Sequence, residues 1–418
     1  LRTWSFAAVR PAEGLCVRDG RAWRLADGAW RETRGEPWDL VRSLAGRARA
    51  GPQDAPFPHG VAGLVSYDAG RLLERLPAIA EDDARVPQVL LYRFDAAVAV
   101  PAGGAPLVRH APGAEAAARE LRALLAREPP PLPDGEVSPV RARTSPKEFE
   151  AMVTRAREHV RAGDVFQVNL SHRLEARATL PPLALYARLR AANPAPFSAL
   201  LLSGPLPDDP EGFAVVSSSP ERLFRLEGRR LEARPIAGTR RRGRDPREDA
   251  ALAAELRADG KEQAEHVMMV DLARNDLGRV ASPGSVRVPR LLAVETYRTV
   301  HHLVSTVEAD LAPGLDAVDA LRAMFPGGTI TGAPKVRSME VIEAIEPARR
   351  GVYTGSLGWI GPTGDCDFSI LIRTLLLRRG EVHLQVGAGI VEESDPGREY
   401  QETLAKAKGL LMALGAAG

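Results

Sequence analysis

The spacing of apolar positions changes several times along this chain. Through residues 1–110 it is close to two. LCVRDGRAWRLADGAW alternates apolar and polar residues around Asp-Gly pairs, as antiparallel hairpins do. Residues 59–74 read as an apolar strand, a turn and a short helix, and 87–100 as a buried strand pair. Before them Trp38, Leu40, Val41 and Leu44 begin a helical pattern. An alanine-rich helix is expected over 111–127, and the proline-rich stretch 128–139 then breaks all periodicity and reads as a linker. Ser145, Pro146 and Glu148 predict a capped helix start. Phe149, Met152, Val153, Ala156 and Val160 form one stripe of that helix, and Gly163 closes it. Strand-like runs follow from 165 to 239. Helices are expected over 246–278, 314–324 and 335–346. Three more strands lie in YTGSLGWIG, DFSILIRTLLLRRG and EVHLQVGAGIVE, and a last helix runs from Pro396 to about Leu414. Consecutive antiparallel strands point to an α+β fold rather than βαβ units. The expected division is a strand-rich N-terminal subdomain over 1–130 and a second, larger domain over 145–418.

Composition narrows the function classes. The formal charge is only +2, so no whole-molecule field attracts nucleic acid or an anionic membrane. Arg240–Arg244 form a local basic run, most simply a solvated loop or an anion-steering rim. Two cysteines, Cys16 and Cys366, make neither a disulfide framework nor a zinc signature. No apolar run is long enough to span a bilayer, and the first residues lack the apolar core of a signal peptide. A cytoplasmic protein is the expectation.

Two acidic pairs stand out. Glu262 and Glu265 lie three apart in one predicted helix, and Glu399 and Glu402 in another. That spacing puts each pair on a single helix face. One such face alone is ordinarily just solvated; two brought together would be an oxygen-rich site for a hard divalent cation such as Mg2+. The loop-like run 327–335 superficially resembles a phosphate loop but lacks the Gly-Lys-Ser/Thr ending such loops use.

The text around these pairs resembles the chorismate-utilising enzymes, in particular the aminating members: component I of aminodeoxychorismate synthase and of anthranilate synthase. The resemblance rests on segments in a fixed order: GDVFQVNLS (163–171), NPAPF (193–197), SSPER (218–222), RPIAGT (234–239), EHVMMVDLARNDLGRV (265–280), VHHLVSTV (300–307), PGGTITGAPKVRSMEVIEAIEP (326–347), RRGVYTGSLGW (349–359), DFSILIRT (367–374) and GAGIV with EYQET beyond it (387–403). It implies layered antiparallel β-sheets flanked by helices, with the active site in a cleft between sheets and 145–418 as the chorismate-binding domain.

The resemblance also implies roles. Mg2+ would sit near Glu265 and Glu402, with Glu262 and Glu399 in the same cluster. Arg373 would grip the enolpyruvyl carboxylate, because a guanidinium can hold a carboxylate at two points. Tyr353, Thr239, Thr331, Lys406 and the backbone of Gly387, Ala388 and Gly389 would complete the substrate contacts. Glu221 is the expected general acid for the leaving C4 hydroxyl, and its pKa should therefore be raised. His302 would also lie in the site, its neighbour His301 being structural.

Two positions bear on the nucleophile. Family members that add water carry a lysine base where this chain has Gln167, and glutamine cannot take a proton from water. Ammonia is then the nucleophile, supplied by a separate glutamine amidotransferase subunit, since no amidotransferase segment occurs here. Ala237 divides the two aminations. Aminodeoxychorismate synthases typically place a lysine there, which attacks C2 before ammonia enters at C4; anthranilate synthases have alanine. The flanking motifs look more like the aminodeoxychorismate branch, so the leading expectation is 4-amino-4-deoxychorismate, for 4-aminobenzoate and folate. The alternative is anthranilate plus pyruvate, for tryptophan.

Overall fold

The computed structural model describes residues 4–46, 56, 57, 59–297 and 300–416; the first three residues of the N-terminal stretch and the last two of the 145–418 unit lie outside them. Two large antiparallel sheets organise the chain. One has seven strands and runs in the order Phe197–Leu202, Ala214–Ser219, Thr374–Arg378, Glu381–Ile390, Gln167–Arg177 and Gly332–Ala333, with the short Arg141–Ala142 also on Gln167–Arg177. The other has twelve. Its central strands are Val300–Asp310, Arg230–Ala233, Arg222–Glu227, Cys366–Ile370, Ser356–Ile360 and Gly60–Val65. Ile236–Arg241 forms one edge and the N-terminal hairpins the other. A separate three-stranded sheet joins Trp4–Ala7, Ala96–Pro101 and Leu107–His110. The fold is α+β, as the run of antiparallel strands predicts.

Burial shows how the layers stack. Leu64, Leu90, Phe213, Val215, Leu371 and Leu376 form one buried cluster drawn from both large sheets, so the sheets pack face to face there. On the outer face of the twelve-stranded sheet, Trp38, Val270, Leu277, Val318, Leu321 and Met324 of three helices cover Phe224, Phe368 and Val307. Outside the seven-stranded sheet, Leu185 and Leu189 of helix Pro182–Ala192 and Leu410 of helix Pro396–Ala413 cover Val216, Leu375 and Val382. Helix Pro146–Arg161 and helix Lys335–Ile345 cover the rest of that face through Phe149, Val153 and Ile342. The result is four layers: helices, sheet, sheet, helices.

The local signals mostly act as their chemistry dictates. Ser145 and Glu148 form the reciprocal capping box at the start of the 146–161 helix. The 246–278 stretch is two helices, Pro246–Ala258 and Gly260–Gly278, because Asp259 leaves the helical region and its carboxylate caps the amides of Lys261 and Glu262. DFSILIRTLLLRRG, expected as one strand, is two. Cys366–Ile370 belongs to the large sheet and Thr374–Arg378 to the smaller one. Between them Arg373 adopts a positive φ of 51°, a conformation that costs a non-glycine residue free energy. No described helix is long and apolar enough to cross a membrane.

Candidate active site

The chain crosses from one sheet to the other at two adjacent places, and each crossing carries a charged side chain. Ala214–Ser219 ends in the seven-stranded sheet, and Arg222–Glu227 begins in the twelve-stranded one; Glu221 lies between. Leu371–Arg373 makes the reverse passage. The crossings are stitched together. Ile370 N donates to Glu221 O at 3.0 Å, Ser218 N to Arg373 O at 3.1 Å, and Ser219 Oγ to Ile370 O at 2.5 Å. Glu221 and Arg373 are thus fixed side by side at a seam between sheets.

Their electrostatics are complementary. Glu221 is buried, and loss of solvation raises its carboxyl pKa to about 7, although a 2.7 Å hydrogen bond from Thr329 Oγ1 and the charges of Arg373 and Lys406 oppose the rise. A carboxyl near 7 is suited to donating a proton at neutral pH. Burial lowers the Arg373 pKa. Its guanidinium has no hydrogen-bond or ion-pair partner among the described residues, which leaves its fork free for an anion. His302 stands close enough to feel Arg373; burial and that cation lower its pKa, so the ring is neutral. Its Nδ1 faces Thr239 Oγ1 at 3.0 Å and Gly238 O at 3.4 Å. His301 is held apart from this group, between Asp249 at 2.9 Å and Thr296 at 2.9 Å, and is structural.

The seven-stranded sheet supplies the opposite wall. Strands 167–177 and 381–390 pair so that Asn169 lies against Gly389 and Ser171 against Gly387. A Cβ on Gly387 would meet Asn169 Oδ1 and Tyr353 OH at 2.8 Å, and one on Gly389 would collide with Gln167 Nε2. These glycines let side chains lie flat across the strand and bring its backbone within reach of a ligand. Ala388 alternates to the other face, where its methyl joins the buried cluster under the covering helices, leaving only backbone for the cleft. Gln167 Oε1 and Asn169 Oδ1 are buried without a hydrogen-bond partner, so two acceptors two residues apart await a donor. Tyr353 is buried beside them, and burial raises its pKa. Lys406 Nζ bonds Gly387 O at 3.0 Å and Glu402 at 2.8 Å.

At the mouth, helices 260–278 and 396–413 face one another. The pKa of Glu265 is raised by burial, then by the like charges of Glu262 and Glu402; that of Glu399 is raised by burial and by Glu402, against the hydroxyl of Ser394. Carboxylates from two helices therefore feel each other across the gap. Basic side chains offset part of that repulsion. Arg240 approaches Glu262 at 3.4 Å, Lys261 approaches Glu265 at 3.6 Å, and Lys406 neutralises Glu402. Among the described residues no three acidic, imidazole or thiol side chains converge to cage an ion. The donors fit a cation that keeps several waters and takes only one or two protein carboxylates, as Mg2+ does. Gly238, with a φ of 68°, turns close beneath: a Cβ there would stand 2.9 Å from Glu262 Oε2. Ala237 precedes it, and its methyl is half-buried. Thr239 is exposed at the rim, whereas Thr331 is fully buried and donates its hydroxyl to Gly327 O at 2.9 Å.

Comparison with known proteins gives this arrangement a family. A family model described as chorismate binding enzyme matches residues 7–412. The chain belongs to the chorismate-binding enzymes. Anthranilate synthase component 1 of Streptomyces coelicolor is 45% identical, over 91% of this chain and 78% of that one. Its Thermus thermophilus namesake is 44% identical, over 94% and 87%. Aminodeoxychorismate synthase component 1 of Bacillus subtilis is 43% identical, over 86% and 77%. A crystal structure of anthranilate synthase component I from Streptococcus pneumoniae superposes with a TM-score of 0.86 at 34% identity, covering 98% of this chain and 92% of that one. Chorismate-binding folds thus include this one, and both aminating branches lie at similar distance, with anthranilate synthases the more numerous among these relatives.

Three groups at the cleft went unread in the sequence. Thr329, two positions before Thr331, is the hydroxyl that holds Glu221; it lies in a short 3-10 turn, whose side-chain directions no strand or helix period in the sequence could have flagged. Asn169 shares the cleft face with Gln167 by the same two-residue spacing. The third, the buried pair Glu346 and Arg350, lies behind the cleft wall. Lys335, the lysine of the apparent phosphate loop, is buried on Asp276 at 2.7 Å and is not free to meet a phosphate.

Proposed function

We propose that this chain is the synthase component of an anthranilate-forming enzyme: it aminates chorismate at C2 with ammonia and then eliminates pyruvate. This reverses the order of the two expectations drawn from the sequence. The observation that carries it is Ala237. A methyl group at that position, on the strand that turns under Glu262, cannot form the covalent adduct by which a lysine directs ammonia to C4. The other lysines near the site are occupied: Lys261 with Glu265, Lys406 with Glu402 and Gly387 O. The greater number of anthranilate synthases among the similar proteins supports the same reading.

The residues suggest a division of labour. Arg373 binds the enolpyruvyl carboxylate, with Tyr353 OH and the backbone of Gly387 and Gly389 beside it. Glu221 gives its proton to the C4 hydroxyl, which leaves as water as ammonia bonds to C2 and the ring double bonds shift. Gln167 and Asn169 accept hydrogen bonds from the incoming amine. His302, neutral, takes a proton as the ring aromatises and the C3 ether leaves as pyruvate. Chorismate and ammonia thereby give anthranilate, pyruvate and water. Glu265 and Glu402, with Glu262 and Glu399, would hold Mg2+, which neutralises the ring carboxylate. Ammonia comes from a separate glutamine amidotransferase subunit.

The test is product identity. The purified chain is incubated with chorismate, Mg2+ and an ammonium salt at mildly alkaline pH, and the products are separated and weighed by mass spectrometry. Anthranilate with equimolar pyruvate is expected. A product that yields 4-aminobenzoate when the matching lyase is added would overturn the proposal.

A further inference from the structure

Strand 167–177 carries Gln167 and Asn169, yet half of one edge has no strand beside it. The short Gly332–Ala333 pairs with it only at Gln167 and Val168, and Arg141–Ala142 only at Leu174 and Glu175. Between those patches Asn169 N still reaches Thr331 O at 2.9 Å, but Asn169 O and Ser171 N face a gap. A single ion pair fills it. Arg350 Nη2 donates to Asn169 O at 2.6 Å, and Glu346 Oε1 accepts from Ser171 N at 2.8 Å and from Ser171 Oγ at 2.8 Å. The two side chains replace the missing strand.

The same pair reaches the rest of the cleft. Arg350 and Glu346 bond to each other at 2.6 and 2.9 Å, with side chains 1% and 2% exposed. Arg350 Nη1 donates to Ile330 O at 2.8 Å, beside Thr331 and one residue past Thr329. Its guanidinium lies over the ring of Tyr353, 5.6 Å from the centroid, and over that of Tyr67 at 4.9 Å. The arginine divides its donors between Glu346, Thr354 Oγ1 at 3.3 Å and the two carbonyls, Asn169 O and Ile330 O, of segments that present groups to the cleft.

We infer that Glu346 and Arg350 are positioning residues for chorismate binding: the pair sets the spacing between the Gln167–Asn169 strand, the Thr329–Thr331 turn and Tyr353. A planar five-donor fork is needed for this, since one cation must serve Asn169 O, Ile330 O and two carboxylate oxygens at once. An ammonium group keeps the charge but cannot span those acceptors. The inference rests on chorismate being the ligand of the cleft, which the wild-type measurement checks independently.

Arg350→Lys tests it. Chorismate binding in the presence of Mg2+ is measured by calorimetry for both proteins, with KM and kcat for ammonium-dependent turnover and a thermal melt beside it. The expected result is a chorismate Kd and KM at least tenfold higher in the variant, with the fold retained by circular dichroism. A second variant, Glu346→Leu with Arg350→Met, removes both charges together and so leaves none buried alone; it should keep a near-wild-type melting temperature and still lose binding. If either folded variant binds chorismate with wild-type Kd and KM, losing only thermal stability or active fraction, the pair is merely structural and the inference falls. If the wild-type protein itself fails to bind chorismate, it is the functional reading that fails.

Discussion

Glu221 shows how one residue's surroundings become chemistry. The same carboxyl in a solvated loop would be ionised at neutral pH; here burial at the sheet crossing keeps it near half-protonated. Its raised folded pKa means the folded state binds the extra proton, so this group costs stability above about pH 7 and costs none below the unfolded value of 4.5. Glu221→Gln should therefore stabilise the fold at pH 8 by on the order of 1–3 kcal/mol, with the gain vanishing near pH 4, and abolish turnover. Melting curves at both pH values check this. For the wild type, kcat/KM at a fixed concentration of free ammonia should fall as pH rises through about 7. Thr329→Val removes the hydrogen bond that lowers this pKa, so the falling limb should move to higher pH; an unmoved limb would mean that another group titrates. Ala237→Lys places an amine where the C4-aminating relatives are expected to carry one, and should divert product toward aminodeoxychorismate, detected as 4-aminobenzoate after lyase treatment. The functional groups legible in the sequence were those inside family-like motifs. Thr329, Asn169, Glu346 and Arg350 lie inside the family-like motifs too, yet they went unread, because their importance lies in which backbone and side-chain atoms the folded chain brings beside them.

At the scale of elements, the period of the apolar positions foretold helices 146–161 and 396–413 almost to the residue, since each carries its own cap and stripe. It failed at Leu371–Arg373, where apolar residues on both sides of Arg373 and Thr374 conceal a passage from one sheet to the other. Hydrophobicity marks burial but not which sheet is doing the burying. The acidic spacing in helices 260–278 and 396–413 was legible too, though not the basic side chains that partly neutralise it. This has a measurable side. Glu265→Gln removes a carboxylate and leaves Lys261 without its partner. Mg2+-dependent turnover should drop by at least a hundredfold, and titration with Mn2+, followed by electron paramagnetic resonance, should show weakened binding. Unchanged Mn2+ affinity would remove Glu265 from the metal site.

For the whole molecule, the feature of most consequence is the pairing of Gly60–Val65 with Ser356–Ile360. Five residue pairs in register, from Val61 with Ile360 to Val65 with Ser356, run the sheet on from the catalytic strands into the N-terminal hairpins. Val61, Val65, Ile360 and Phe368 share one buried cluster. The covalent tie between the two parts is different in kind. Residues 128–134 are exposed and hold no helix or strand, and the chain first meets the larger part at Gly135 and the bridge of Val137. A protease site placed at 130–133 and cut in the folded protein should therefore release nothing: both fragments should co-elute at the size of the intact chain and keep most of its activity. Elution of two separate species would show that the linker, not the shared sheet, holds them. The protein is joined by a seam rather than a hinge. Its two stretches of chain could be encoded by separate genes and still assemble into one enzyme, whereas exchanging the N-terminal stretch between relatives would succeed only where the strand at 60–65 still fits its neighbour.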